Sequence, residues 1–300
     1  MSPSTPRAGQ TSGQVVAAYG RHYLIEAEGG EYLRCVPRGK QSLVACGDRV
    51  EVARTASGEG VIEATAPRAT LFLRAAPHRR KLIAANATQV AVICAGEPSL
   101  ADEVVARVLA AAESQSLRAL LVLNKIDLVA PTEAARKRLA PFVQAGYAVV
   151  ELSAQRDIAP LRARLQGETT VLIGQSGMGK STLVNALVPD ADAATREISR
   201  FLDSGRHTTT AIRLYRLDAA SAIIDSPGVQ EFGLAQLGLA EIAHGFRELR
   251  LLAGRCRFTD CRHRTEPGCA VRAAVDTGQI HARRLELLHR ILDAEGAGRR

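Results

Sequence analysis

Apolar and polar positions alternate with a period of two through the first part of the chain and then shift to helical spacing. Short alternating segments at 15–25, 32–36, 49–53 and 60–64 are separated by turn residues, among them Gly29-Gly30, Gly39, Gly47-Asp48 and Gly58. Several short strands at this interval predict a small β-barrel. The oligonucleotide-binding barrel is one such fold, and its face carries aromatic and basic side chains of the kind offered by Tyr19, Tyr23, Tyr32, Arg21, Arg34 and Arg38. The same residues serve equally well as ordinary strand positions.

Further along, strand and helix patterns take turns. A strand at 89–95 precedes a helix at 100–113, whose Leu100, Val104, Val105, Val108 and Leu109 share a face. A strand at 119–123, a helix at 132–145 and a strand at 147–152 continue the series. Val171, Leu172 and Ile173 form another apolar strand, with Leu183, Val184 and Leu187 at helical spacing behind it, and 222–224 reads as one more strand. Such alternation predicts a mostly parallel sheet covered on both faces. Two helical patterns follow: 239–252, with Leu239, Ile242, Phe246 and Leu249 on one side, and 280–295. The implied division is a tail at 1–13, a barrel at 14–68, a linker at 69–84, an α/β domain at 85–236 and a helical C-terminal domain at 237–300. The basic run Arg79-Arg80-Lys81 in the linker is either a solvated surface or a phosphate contact.

Composition narrows this picture. A chain of 300 residues with 46% hydrophobic content builds more than one packed core, which excludes wholesale disorder. The 39 Lys and Arg against 31 Asp and Glu leave a net charge of +8, which favours a polyanionic partner. The polar start at 1–14 lacks the apolar core of a signal peptide, and no stretch has the length of a membrane span. Together these predict a cytoplasmic protein with no membrane partner. Cys35, Cys46 and Cys94 lie among apolar residues and read as reduced core thiols.

Residues 174–181 spell Gly-Gln-Ser-Gly-Met-Gly-Lys-Ser, the phosphate-loop pattern G-x-x-x-x-G-K-S, between the predicted strand and helix that the motif requires. Its glycines let successive backbone N–H groups face an anion at a helix N-terminus. Lys180 is placed to reach the outer phosphates, and the Ser181 hydroxyl to complete the coordination of Mg²⁺. Gly174, Gln175, Ser176, Gly177, Met178, Gly179, Lys180, Ser181 and Thr182 are therefore candidate nucleotide contacts.

After the strand ending at Leu123 stand Asn124, Lys125, Ile126 and Asp127, an N-K-x-D at the carboxyl end where open α/β sheets bind ligands. The Asp127 carboxylate accepts two hydrogen bonds from a base that presents two donors side by side, as guanine does and adenine does not. A buried carboxylate left unpaired by the wrong base discriminates by roughly 10⁴-fold, so the motif specifies GTP over ATP. Ser153 and Ala154 follow the next strand, where the Ala154 N–H would meet the guanine carbonyl.

The strand at 222–224 leads into Asp225-Ser226-Pro227-Gly228, a D-x-P-G. Asp225 there serves the Mg²⁺ shell and the Gly228 N–H the γ-phosphate. The polar segment 205–210, Gly-Arg-His-Thr-Thr-Thr, lies between the phosphate-loop helix and that strand, and one of Thr208, Thr209 and Thr210 completes the Mg²⁺ site, with Thr209 assigned the role. Val229 stands where many GTPases carry a water-orienting glutamine, which predicts slow intrinsic hydrolysis. Near the C-terminus, Cys256, Cys261, His263 and Cys269 are spaced C-x4-C-x-H-x5-C, a donor set suited to one structural Zn²⁺ with no open position. Arg255, Arg257, Arg262 and Arg264 surround it, which suits contact with RNA phosphate.

Taken together, these stretches resemble the guanine-nucleotide-binding domain of translation-factor GTPases with the order rotated, since 124–127 and 153–154 precede 174–181. The whole layout resembles the RsgA (YjeQ) family of small ribosomal subunit biogenesis GTPases, which are circularly permuted. That resemblance implies a multidomain α/β architecture: an N-terminal OB-type β-barrel, a circularly permuted P-loop GTPase domain and a C-terminal helical zinc-binding domain. It further implies GTP hydrolysis to GDP and phosphate, stimulated by the small ribosomal subunit, and a role in late maturation of that subunit through its rRNA. By the same resemblance His207 joins Lys180 and Asp225 as a candidate catalytic residue. Nothing suggests more than a monomer. Two other readings stay open: an RNA-binding module that uses GTP as an occupancy switch, and an ATP-dependent RNA remodeller, which Asp127 opposes.

Overall fold

Five strands at the N-terminus close on themselves: β1 (Gln10–Tyr19), β2 (His22–Ala27), β3 (Tyr32–Pro37), β4 (Arg49–Ala56) and β5 (Glu59–Thr65). All neighbours are antiparallel except β3 and β5, and β1 pairs with both β2 and β4 to seal the cylinder. One strand serves two partners because β1 shifts register between Val15 and Ala17, bending from β4 toward β2. Val15, Ile25, Leu33, Cys35, Val50, Val52 and Ile62 fill the interior. This computed structural model describes residues 10–39, 43–76, 79–189, 191 and 211–297.

Three expectations change here. Residues 10–13, assigned to the tail, form the first part of β1, because Gln10 to Gly13 pair in register with Ala53 to Val50 of β4. The single alternating segment 15–25 is two strands with a turn at Gly20 and Arg21. Residues 69–84 are no linker: β6 (Leu71–Ala76) and β7 (Arg79–Ala85) make a hairpin. It folds because Phe72, Ile83, Ala84 and Ala85 are buried, with the Phe72 ring 5.6 Å from that of Phe232.

The α/β part follows: β8 (Gln89–Ala95), α1 (Asp102–Ser114), β9 (Arg118–Asn124), α2 (Val129–Gln144), β10 (Ala148–Glu151), α3 (Ala159–Leu165), β11 (Thr169–Gly174), α4 (Lys180–Leu187), β12 (Ile212–Arg216) and β13 (Ala222–Asp225). The strands lie in the order β10-β9-β8-β11-β13-β12, parallel except for β12. Every residue of β8 is buried, as a strand covered on both faces must be. β12 also pairs with β1 through Ala17 with Arg213 and Ala18 with Ile212, so barrel and parallel sheet form one eleven-stranded sheet. Because β8, β9, β10, β11 and β13 run the same way, the motifs that follow them collect at one edge.

At the C-terminus stand α5 (Leu239–His244), α6 (Arg247–Arg250), α7 (Ala270–Asp276) and α8 (Ala282–Ala297). The helix expected at 239–252 is broken at Gly245, where the backbone lies so close to α1 that a side chain would come within 2.8 Å of Ala110 Cα. The break turns Phe246 fully inward. There Arg284 of α8 is 1% exposed, bonded to Glu248 at 2.6 Å and stacked on Phe142 and Phe246 at 4.8 and 4.4 Å from the ring centres. Glu113 of α1 accepts from Arg247 and Arg250, and Glu295 of α8 accepts from Arg107 and from the Leu234 N–H. The C-terminal helices are thus fastened to α1 and α2 by charges held in an apolar seam.

Candidate functional site

Gly174 ends β11 and Lys180 begins α4, so residues 174–181 form the strand, loop and helix expected of a phosphate loop. Gly179 is the helix N-cap with φ +85°, a conformation that L side chains rarely adopt. A side chain there would also meet Asn124 Nδ2 at 2.3 Å. Met178 is buried, whereas Ser176, Gly177, Ser181 and Thr182 are exposed along the rim.

Asn124 is 1% exposed and joins three motifs. Its Nδ2 donates to Met178 O at 3.0 Å, and its Oδ1 accepts from the Ala154 N–H at 2.9 Å. The Ala154 N–H, expected to meet a guanine carbonyl, is bonded here to Asn124, which locks that side chain between the two loops. Lys125 adopts φ +62° and extends its Nζ to Glu97 O at 2.9 Å. A hydrogen bond from Ser153, which is 6% exposed, heads the effects holding the Asp127 carboxyl below its usual range, assisted by its own backbone and by the charges of Arg156 and Lys125. Asp127 is ionised at neutral pH and fixed as an acceptor.

On the other flank Lys180 Nζ lies 2.6 Å from Asp225 Oδ1. Ser226 Oγ donates to Leu172 O at 3.0 Å and the Val229 N–H to Gly174 O at 3.0 Å, which holds residues 225–229 against β11. Gly228 is exposed beside the Ser176 backbone. Val229 is 2% exposed and turned into the core. Residues 205–210, including His207, Thr208, Thr209 and Thr210, lie outside the described residues.

The structure therefore gathers Asn124, Lys125, Asp127, Ser153, Ala154, Lys180, Asp225 and Gly228 around one loop. A base-sized acceptor lies on one side of it and a lysine–carboxylate pair on the other. That arrangement suits an anionic nucleotide with a donor-rich base, and the Asp225 carboxylate, paired with Lys180 next in the chain to the exposed Ser181, suits a hard cation held with the phosphates.

The sulfur and nitrogen donors of Cys256, Cys261, His263 and Cys269 form a second cluster, all within 4.8 Å of one another. Cys256 Sγ stands 3.6 Å from His263 Nδ1 and 4.0 Å from Cys269 Sγ, and His263 Nδ1 3.3 Å from Cys269 Sγ. Three thiols and an imidazole converging so closely fit a tetrahedral metal ion. Cys269 also caps α7 by accepting from the Arg272 N–H. Sequence reasoning missed Glu266, whose carboxylate accepts from the N–H groups of Arg262, Arg264 and Thr265 at 3.0, 2.7 and 3.0 Å. Hydrogen bonds from its own backbone and from those N–H groups hold its carboxyl at about 2. A loop-bracing glutamate carries no spacing signal, since its partners are backbone atoms.

The family model for RsgA GTPases matches residues 65–235. A small ribosomal subunit biogenesis GTPase RsgA of Nitrosospira multiformis is 50% identical over 280 residues, covering 93% of this chain and 90% of its own. One from Nitrosomonas europaea is 51% identical over 284 residues, covering 94% and 90%. Among solved structures, that of YjeQ from Thermotoga maritima aligns with a TM-score of 0.71 at 29% identity, covering 95% of this chain and 98% of that one. YloQ, described as a circularly permuted GTPase, aligns with a TM-score of 0.69 at 22% identity and shares the fold.

Proposed function

This chain belongs to the RsgA GTPase family, and from that premise we propose how its residues divide the work of GTP hydrolysis in small ribosomal subunit maturation. The observation that carries the reading is the Asn124 carboxamide. By bonding Met178 O it ties the base-recognition motif to a phosphate loop that comes later in the chain, so the permuted motifs share one site.

Asp127 accepts from the donor edge of guanine, with Ser153 holding its carboxylate in place. The N–H groups of Gly174, Gln175, Ser176, Gly177, Met178, Gly179, Lys180, Ser181 and Thr182 wrap the phosphates, and Lys180 transfers from Asp225 to the outer phosphates. Asp225 and Ser181, joined by Thr209, would hold Mg²⁺, which when bound neutralises phosphate charge. Gly228 lies beside the phosphate loop, suited to a γ-phosphate contact. His207 is assigned to the attacking water, because Val229 points into the core and no side chain at that position reaches solvent. The Cys256, Cys261, His263 and Cys269 set would hold Zn²⁺ as a structural cross-link.

Arg21 and Arg38, exposed on the barrel, and the arginines beside the cysteines provide for contact with rRNA phosphate, and the protein acts as a monomer in the cytoplasm. Among the described residues no helix is long and apolar enough to cross a membrane. The decisive test is the GTP hydrolysis rate of the protein alone, with small subunits, and with large subunits. A rise with small subunits only is expected; no rise with either would remove the ribosome as activator.

A further inference from the structure

The carboxamide of Gln175 turns away from the phosphate side of its loop. Its Oε1 accepts the Ala101 N–H at 2.8 Å, across a sequence distance of 74 residues. Ala101 is the N-cap of α1, with extended backbone (φ −91°, ψ 102°) and no side-chain cap. In many helices a Glu or Gln at the third helical position reaches back to the cap residue's N–H. Here that position is Val104, which has no acceptor, and Gln175 supplies the missing oxygen from another part of the fold.

The segment that receives this bond touches the nucleotide site at two further points. Glu97 O accepts from Lys125 Nζ at 2.9 Å. Any side chain at Gly177 would come within 3.1 Å of the Pro98 ring. Residues 97–101 carry no nucleotide motif, yet they form a platform beneath both the phosphate loop and the base motif. The loop is secured at its start by Gln175 and at Met178 by Asn124, which leaves the N–H groups between them already oriented.

We propose that Gln175 is a positioning residue for guanine-nucleotide binding, its side chain fixing the entry of the phosphate loop against the N-terminus of α1. The inference rests on the reading of this loop as the GTP site. A loop ordered in advance binds GTP and GDP alike with less entropy to lose, so the tether acts on the affinity for both.

The test is a double-mutant cycle that breaks one bond from either end. Gln175→Met removes the acceptor and keeps the length of the side chain. Ala101→Pro removes the donor at a residue whose φ is near the range proline adopts, and leaves α1 no unbonded cap N–H. Affinities for GTP and GDP are measured with fluorescent analogues, alongside KM, kcat and melting temperature. Each single variant is expected to weaken both nucleotides about tenfold, with KM rising more than kcat falls, and the double variant no more than either single one.

Three outcomes overturn the inference: affinities within about twofold of the parent, effects that add in the double variant, or a lower melting temperature with affinity retained, which would make the bond a helix cap only. Should Gln175→Met prove too unstable to purify, Ala101→Pro alone decides the matter by the same affinities. A parent protein that binds no guanine nucleotide would instead sink the reading of the site.

Discussion

Lys180 Nζ and Asp225 Oδ1 are 2.6 Å apart, joining the first residue of the phosphate-loop helix to the last residue of β13. The Lys180 side chain is 9% exposed, so the carboxylate is its standing partner at the place where phosphate oxygens would take over. Lys180→Ala should weaken GTP binding roughly 10- to 100-fold, the scale of a lost charge-assisted hydrogen bond. Asp225→Asn should act differently: the gain in GTP affinity on adding Mg²⁺ should shrink toward none. Titrations with Mg²⁺ and with EDTA distinguish the two variants.

Asp127→Asn replaces two acceptors by one acceptor and one donor. Guanine then faces a mismatched amide, while xanthine, with a carbonyl where guanine has its amino group, finds a match. Preference for GTP over XTP should fall by about 10³-fold or more and reverse. Competition binding with the two nucleotides reads this directly, and retained GTP preference would remove Asp127 from base recognition.

Val229→Gln should not create a faster enzyme. The side chain is 2% exposed among core residues, so a glutamine amide there is desolvated without a partner. The expected cost is about 1–3 kcal/mol of stability with no gain in unstimulated turnover. Denaturant melts and single-turnover hydrolysis on the same sample test both halves. A faster free enzyme would mean that this segment turns its side chain outward.

Much of this site was legible because each motif needs its residues consecutive. Residues 124–127, 174–181 and 225–228 lie where strands end, and apolar strands are plain in sequence. What escaped was contact between segments far apart. The hairpin β6–β7 hid because its burial depends on Phe232, some 160 residues later. The break at Gly245 hid because its cause is Ala110 on another helix. The bond between the Ala154 N–H and Asn124 hid because the two residues lie 30 apart in the chain. His207 and Thr209 lie outside the described residues; the role of His207 is the one the family resemblance implies, and that of Thr209 the one chosen from the sequence among Thr208, Thr209 and Thr210.

Arg284→Ala should be among the most damaging substitutions away from the nucleotide site. It leaves Glu248 without its buried partner and empties the space between Phe142 and Phe246. A loss of about 3–5 kcal/mol is expected, whereas Arg284→Met combined with Glu248→Leu should come within about 1 kcal/mol of the parent. Urea unfolding of the two variants compares these values. Equal damage in both would show that the charges, not the packing, hold the seam.

The purified protein should carry one equivalent of zinc. Cys261→Ala should lower the zinc content and loosen residues 256–269, while Cys269→Ala should cost about 1 kcal/mol more because its sulfur also caps α7. Elemental analysis and proteolysis of that segment report on the two effects. GTP affinity should be retained in both, since neither residue lies at the nucleotide loop.

The eleven-stranded sheet cannot be assembled in the order in which its strands are synthesised. The barrel can close once β5 has been made, but β8 must wait for β11, its second neighbour, while α2, β10 and α3 are produced. Throughout that interval β8, apolar at every position after Gln89, is an open edge, the kind of surface that recruits other chains. Rotating the order of the motifs therefore gives the nascent chain a period of exposure that ends only when the phosphate-loop strand arrives to cover it.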